Sequence, residues 1–81
     1  MRDLFNGMDK IQVNLDKLIK EKNLTSKELA KRIDITEANL SILKTGKAKG
    51  IRFITLLRIC RELDCQPGDI LEYIRSEKDE D

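Results

Sequence analysis

The sequence predicts an all-α, compact five-helix domain, and three observations lead to it. Eighty-one residues suit one domain and leave no room for a second. Apolar residues recur at three- and four-residue spacing in short blocks, most of them opened by a capping residue. The composition is 40% apolar and 38% charged with one Pro and four Gly, which suits a soluble helical domain and argues against disorder or collagen-like repetition. A chain of this size buries only ~60–65% of the surface its unfolded form exposes, so its core has to be economical.

Residues 1–10 lack a helical period and are expected to form a flexible N-terminal arm, with Leu4, Phe5 and Met8 as its apolar points. The domain proper is expected over 11–75. Ile11-Gln12-Val13 alternates apolar and polar and fits a short extended segment. Asn14 is placed to cap a first helix in which Leu15, Leu18 and Ile19 share a face, and Asn23 ends it. Thr25-Ser26-Lys27-Glu28 reads as a capping box: the Thr25 hydroxyl takes the Glu28 amide, and the Glu28 carboxylate returns to the Thr25 amide. Leu29, Ala30 and Ile33 form the buried stripe of that second helix.

Asp34 falls where the chain turns sharply, and Asp tolerates left-handed dihedrals better than most residues with a Cβ. Thr36 caps a third helix, about 36–44, with Leu40 and Leu43 facing inward and Thr45-Gly46 stopping it. Lys47 to Ile51 is a basic loop. The fourth helix, Arg52 to Leu63, is expected to bury Phe53, Leu56, Ile59, Cys60 and Leu63, and it carries Ile54 and Leu57 on a second face. Pro67 reads as the first residue of a fifth helix with Ile70, Leu71 and Ile74 inward. Residues 76–81 read as an acidic disordered tail.

Several function classes are excluded or weakened by what the chain lacks. It has no histidine, which removes the commonest general base, the Ser/His and Cys/His nucleophile pairs and most zinc sites. Cys60 and Cys65 are five apart, fit neither a zinc ribbon nor a CxxC pair, and read as two reduced thiols, with a regulatory disulfide as the alternative. No apolar run of ~18 residues suggests a membrane helix, and no export segment is evident, so a cytoplasmic location is expected. An enzyme is not expected, nor a cofactor, a metal or a small-molecule ligand.

Charge is distributed unevenly behind a net value of +1. Ala38 to Arg61 carries Lys44, Lys47, Lys49, Arg52, Arg58 and Arg61 with no acid, whereas acids dominate from Glu62 onward. Such a block either meets phosphates or forms an ordinary solvated face. Small Ala30, the three-residue turn Asp34-Ile35-Thr36 and the anchors Leu40 and Leu43 fit a helix-turn-helix, two helices crossing closely at ~90–120° with the second projecting outward.

The ordered set Ser26-x3-Ala30-x4-Ile35-x4-Leu40-Ser41-x-Leu43-x2-Gly46 resembles the helix-turn-helix of the lambda-repressor-like (Cro/CI-type, XRE) regulators. The stretches Asn39-Leu40-Ser41, Lys44 to Lys49 and Asp64 to Asp69 resemble its compact single-domain bacterial members, and the likeness spans Val13 to Ile74. Two positions depart from the family: Asp34 stands where Gly is frequent, and Ser26 where Gln is frequent.

The resemblance implies a dimeric transcriptional regulator, a repressor, that binds double-stranded DNA at a palindromic operator. It places Glu37, Ala38 and Ile42 at base-reading positions with Ser41 and Thr45 beside them. Glu37 suits a cytosine amino group, while Ala38 and Ile42 suit thymine methyls. Ser26 would meet a phosphate, as would Lys44, Lys47, Lys49 and Arg52, with Thr36 and Asn39 as neutral contacts. Ile54 and Leu57, with Arg61 nearby, are either a homodimer face or partly covered by the arm or the fifth helix; Ile11-Gln12-Val13 and the end of the fifth helix compete as dimer surfaces. The alternative function is a protein-interaction module, an antirepressor or partner subunit, that keeps the fold without binding DNA.

Overall fold

A computed structural model describes residues 9–75. The tail over 76–81 lies outside the described residues, as does the arm except for Asp9 and Lys10. Strand β1 (Lys10–Val13) leads into α1 (Leu15–Glu21), α2 (Ser26–Arg32), α3 (Glu37–Lys44), α4 (Phe53–Leu63), α5 (Pro67–Ile70) and β2 (Leu71–Ile74). The fold is thus five helices with a small two-stranded sheet. β1 and β2 run antiparallel in the register Lys10↔Ile74, Ile11↔Tyr73, Gln12↔Glu72 and Val13↔Leu71.

The sheet corrects one expectation. Leu71 to Ile74 is a strand, not the second turn of a fifth helix. The spacing Ile70, Leu71, Ile74 fits a helical stripe, but Leu71-Glu72-Tyr73-Ile74 also presents a β-branched and an aromatic residue to a pleated surface. The extended Ile11-Gln12-Val13 segment supplies the partner that decides between them. The Asn14 amide donates to the Ile70 carbonyl at 2.8 Å, fastening the start of α1 to the end of α5. Asn14 occupies the N-cap of α1 without a side-chain cap bond. Its amide group is drawn sideways instead, donating to Glu72 at 3.2 Å and accepting from Gln12 at 3.0 Å.

The capping box of α2 forms as the sequence implies. The Glu28 amide donates to Thr25 Oγ1 at 3.0 Å and the Thr25 amide to Glu28 Oε1 at 2.9 Å. Thr36 caps α3 by accepting the Asn39 amide at 3.0 Å. Each of α1 to α4 then ends in the same way. A left-handed residue follows the last turn: Asn23 (φ 59°), Asp34 (φ 63°), Gly46 (φ 78°) and Asp64 (φ 51°). The next amide reaches the carbonyl five residues back, in the pairs Leu24 to Ile19, Ile35 to Ala30, Lys47 to Ile42 and Cys65 to Cys60, at 3.0–3.1 Å. This is the Schellman closure, and it satisfies carbonyls the helix leaves unpaired.

The core takes Leu15 and Ile19 from α1, Leu29 and Ala30 from α2, Ile33 after it, Leu40 from α3, Ile59 and Leu63 from α4, and Ile70 from α5. Each large aliphatic side chain here contributes roughly 1.5–3 kcal/mol by leaving water. Phe53 departs from the expected stripe: it is 87% exposed at the first residue of α4, whereas Ile59 and Leu63 are fully buried. Arg52, expected inside the helix, is its N-cap.

The left-handed Asp34 makes a testable demand. Asp34→Gly removes the Cβ penalty at this position and is expected to leave stability unchanged or raise it by up to about 1 kcal/mol. Asp34→Val is expected to lower it by about 1–2 kcal/mol, since a β-branched residue is an outlier there. Urea unfolding of the two variants beside the parent chain measures both.

Candidate nucleic-acid interface

Helix α3 is presented outward by what lies beneath it. Ala30 is 2% exposed, and its small side chain lets α2 and α3 approach closely. The Ile35 amide hydrogen-bonds back to the Ala30 carbonyl at 3.0 Å, so the turn closes on the helix it leaves. Leu40 is fully buried and Leu43 packs against the core, which fixes the inner side of α3. Glu37, Ala38, Ser41 and Ile42 on the helix, and Thr45 just after it, are all exposed. Ile42 shows 45% of its surface, a branched apolar side chain in water beside Ala38 and Ser41 on the helix. Thr45 Oγ1 donates to the carbonyls of Ser41 at 3.0 Å and Ile42 at 3.3 Å, leaving its oxygen as an acceptor.

The seven residues assigned to phosphate contact divide into groups. Ser26 and Lys44, 18 positions apart, are brought together: Lys44 Nζ donates to Ser26 Oγ at 2.7 Å. Lys44 also pairs with Asp16 Oδ1 at 3.3 Å, and its side chain is only 23% exposed. One ammonium therefore ties the end of α3 to the starts of α1 and α2. Thr36 and Asn39 are exposed at the start of α3, with the Thr36 hydroxyl oxygen engaged by the Asn39 amide. Lys47, Lys49 and Arg52 are exposed and, among the described residues, their side chains make no ion pair or hydrogen bond. Of the seven, these three are the cations without a partner among the described residues.

Between α3 and the basic loop runs a shallow groove lined by Asn39, Ile42, Ala48, Gly50, Arg52 and Thr55. It joins two regions that the sequence presents separately. Thr55 is half-buried in α4 and was not distinguishable from an ordinary helix residue in the sequence, since only the fold brings it opposite Asn39. Asp16 was also missed as a participant. Its visible signal was a local pair with Lys20, four residues on, which does form at 3.3 Å; its contact with Lys44 spans the domain.

Helix α4 steadies α2 from the other side. Arg58 Nη1 donates to the Ile33 carbonyl at 3.3 Å, and Arg32 Nη1 lies 3.6 Å from Glu62 Oε1. Arg58 is thus engaged at the C-terminal end of α2, where a cation complements the helix dipole. Beyond it, Ile54 is 45% exposed, Leu57 52%, and Arg61 is also exposed. With Phe53 they leave an apolar strip on α4 facing solvent. Among the described residues no helix is long and apolar enough to cross a membrane, and no cluster of three or more His, Cys, Asp or Glu is placed to hold a metal ion.

Comparison with known proteins places this geometry in context. Residues 14–76 match the model of the Cro/C1-type HTH DNA-binding domain. The chain is 55% identical over 69 residues to the HTH-type transcriptional regulator YozG of Bacillus subtilis (strain 168), covering 85% of this chain and 81% of that one. The crystal structure of the transcriptional regulator VanUg superposes with a TM-score of 0.68 at 24% identity, over 90% of this chain and 96% of that chain, a likeness of fold.

The carboxylates that organise the helix starts give an acid-pH prediction. Hydrogen bonds from Lys20 and Lys44 hold the Asp16 carboxyl below its ordinary 3.8. The Thr25 amide and hydroxyl hold Glu28 below its ordinary 4.5. A carboxyl whose folded value is depressed adds stability that is complete above its unfolded value and disappears as pH falls through the folded one. Asp16→Asn and Glu28→Gln are therefore each expected to flatten the loss of stability below about pH 4.5, as read from thermal midpoints across a pH series.

Proposed function

The chain belongs to the Cro/C1-type helix-turn-helix DNA-binding family, and from that premise we propose that it acts in the cytoplasm as a dimeric repressor, reading a palindromic operator with α3 in the major groove. It is an HTH-type DNA-binding transcriptional regulator, of a family that is not enzymatic. The observation that carries the finer reading is the outward face of α3 lying beside three uncompensated cations, Lys47, Lys49 and Arg52.

In this reading Glu37, Ala38, Ser41, Ile42 and Thr45 meet base edges. Glu37 accepts from a cytosine amino group, and Ala38 and Ile42 pack on thymine methyl groups. None of the five offers the bidentate fork of Arg, Gln or Asn, so sequence discrimination per half-site is modest. Much of the affinity then comes from phosphates, through Lys47, Lys49 and Arg52 as charges and Thr36 and Asn39 as neutral donors. Ser26 and Lys44 act as a pair at the start of α2, where Lys44 exchanges Asp16 for a phosphate oxygen.

Two copies related by a two-fold axis place two α3 helices about one DNA turn apart, roughly 34 Å. The exposure of Ile54, Leu57 and the neighbouring Phe53 supports α4 as the dimer face, with Arg61 at its rim.

Salt titration on a duplex obtained by selection from genomic fragments tests the reading. Log affinity is expected to fall linearly with log salt, and Lys47→Ala or Lys49→Ala to reduce that slope by about one per lost phosphate contact. A slope unchanged by either substitution removes the loop from the interface. Failure of every duplex to bind at low salt removes the DNA-reading role of α3.

A further inference from the structure

The end of α4 brings the chain's two thiols together for a reason that lies in the backbone. Asp64 turns left-handed at φ 51°, and the Cys65 amide returns to the Cys60 carbonyl at 3.1 Å. In this closure the residue after the left-handed one commonly packs on the residue five before it. Those two positions are held by Cys65 and Cys60, and both side chains line one groove. Both are free and half-buried. They form part of a surface groove whose other walls include Phe53, Leu56, Leu57 and Pro67, so in the single chain, with the α4 face uncovered, a small solute reaches them without unfolding the domain.

We propose that Cys60 and Cys65 form a dithiol exchange site that closes to an intramolecular disulfide on reaction with low-molecular-weight disulfides. In the first step the Cys60 thiolate attacks one sulfur of the solute disulfide. The Cys60–solute S–S bond forms, the solute S–S bond breaks, and one solute thiolate leaves and takes up a proton. In the second step Cys65 gives up its proton and attacks Cys60 Sγ, and the second solute thiol departs. Two cysteine thiols are oxidised and one solute disulfide is reduced to two thiols, with no other reactant.

The order of the steps follows from the surroundings of Cys65. Burial, then the neighbouring Cys60 sulfur and the Asp69 carboxylate, push its thiol from 9.0 up to about 11, against a smaller opposing effect of Lys22. Few Cys65 thiolates are available to attack a solute. Once Cys60 carries the mixed disulfide, the adjacent position of Cys65 replaces a bimolecular encounter with an intramolecular one. The closed form fixes the corner between α4 and α5, directly below the apolar strip of Phe53 and Leu57.

The test uses the folded 81-residue protein and oxidised glutathione as the probe, with products read by intact mass and by alkylation with N-ethylmaleimide. The parent chain is expected to lose two hydrogens in mass, retain no glutathione and lose both alkylatable thiols. Cys65→Ser is expected to hold one glutathione on Cys60. Cys60→Ser, in which burial still acts on Cys65, is expected to react up to about tenfold more slowly when folded than in urea. That figure follows because a rise of about two pKa units removes ~99% of the thiolate while raising the nucleophilicity of the remainder roughly tenfold. A parent chain that keeps a glutathione adduct, or keeps both thiols alkylatable, overturns the proposal. A folded Cys60→Ser that reacts as fast as its unfolded form overturns the assigned order.

Discussion

Four times in succession a short helix of this domain is ended by one left-handed residue, and the placement of every surface depends on those reversals. Helices α1 to α3 have only seven or eight residues, too few to persist alone in water. They are stable because each is stopped, turned and pressed onto a common core within two or three residues. Asn23, Asp34 and Asp64 are followed by Leu24, Ile35 and Cys65, each of which packs against the core. Gly46 is followed by Lys47, which is exposed. The same backbone closure thus folds the chain inward at three helix ends and, at the end of α3, sends a basic loop out beside the outer face of that helix.

That exception separates two kinds of positive charge. Lys44 and Arg58 are half-buried and engaged, the first by Asp16 and Ser26, the second by the Ile33 carbonyl. The first links α3 to α1 and α2, and the second links α4 to the end of α2. Lys47, Lys49 and Arg52 have been left for solvent or a partner. Within one run of basic sequence, position relative to the core decides whether a cation is engaged by the fold or left exposed. The near-neutral net charge of +1 conceals this arrangement, because the acids that balance it lie largely elsewhere in the chain.

Much of this was legible in the sequence, and the parts that were not share a cause. The capping box at Thr25 and Glu28, the Thr36 cap, the left-handed Asp34 and Gly46 and most core residues are consequences of local chemistry, which neighbouring residues suffice to reveal. The outward set Glu37, Ala38, Ser41, Ile42 and Thr45 follows by subtraction once Leu40 and Leu43 are placed inside. Non-local partners were the difficulty. Leu71 to Ile74 suits a helix or a strand equally until Lys10–Val13 pairs with it. Asn14 is a plausible cap until Gln12 and Glu72 claim its side chain. Phe53 is in phase with a buried stripe but stands at the first residue of α4, where none of the described residues covers it. Lys44 belongs to the basic block by sequence, and only the fold shows that it meets Asp16 and Ser26.

The central claim is that the folded scaffold offers the outer side of α3, with the loop after it, to the DNA duplex. Backbone amide chemical shifts followed during titration of the intact chain with a selected duplex address this directly, one residue at a time. The predicted result is a contiguous set of changes over residues 36–52, strongest at Ala38, Ile42, Lys47 and Lys49, with Ile59 and Leu63 little affected. Changes confined to the Phe53, Ile54 and Leu57 side of α4, with α3 silent, would contradict it.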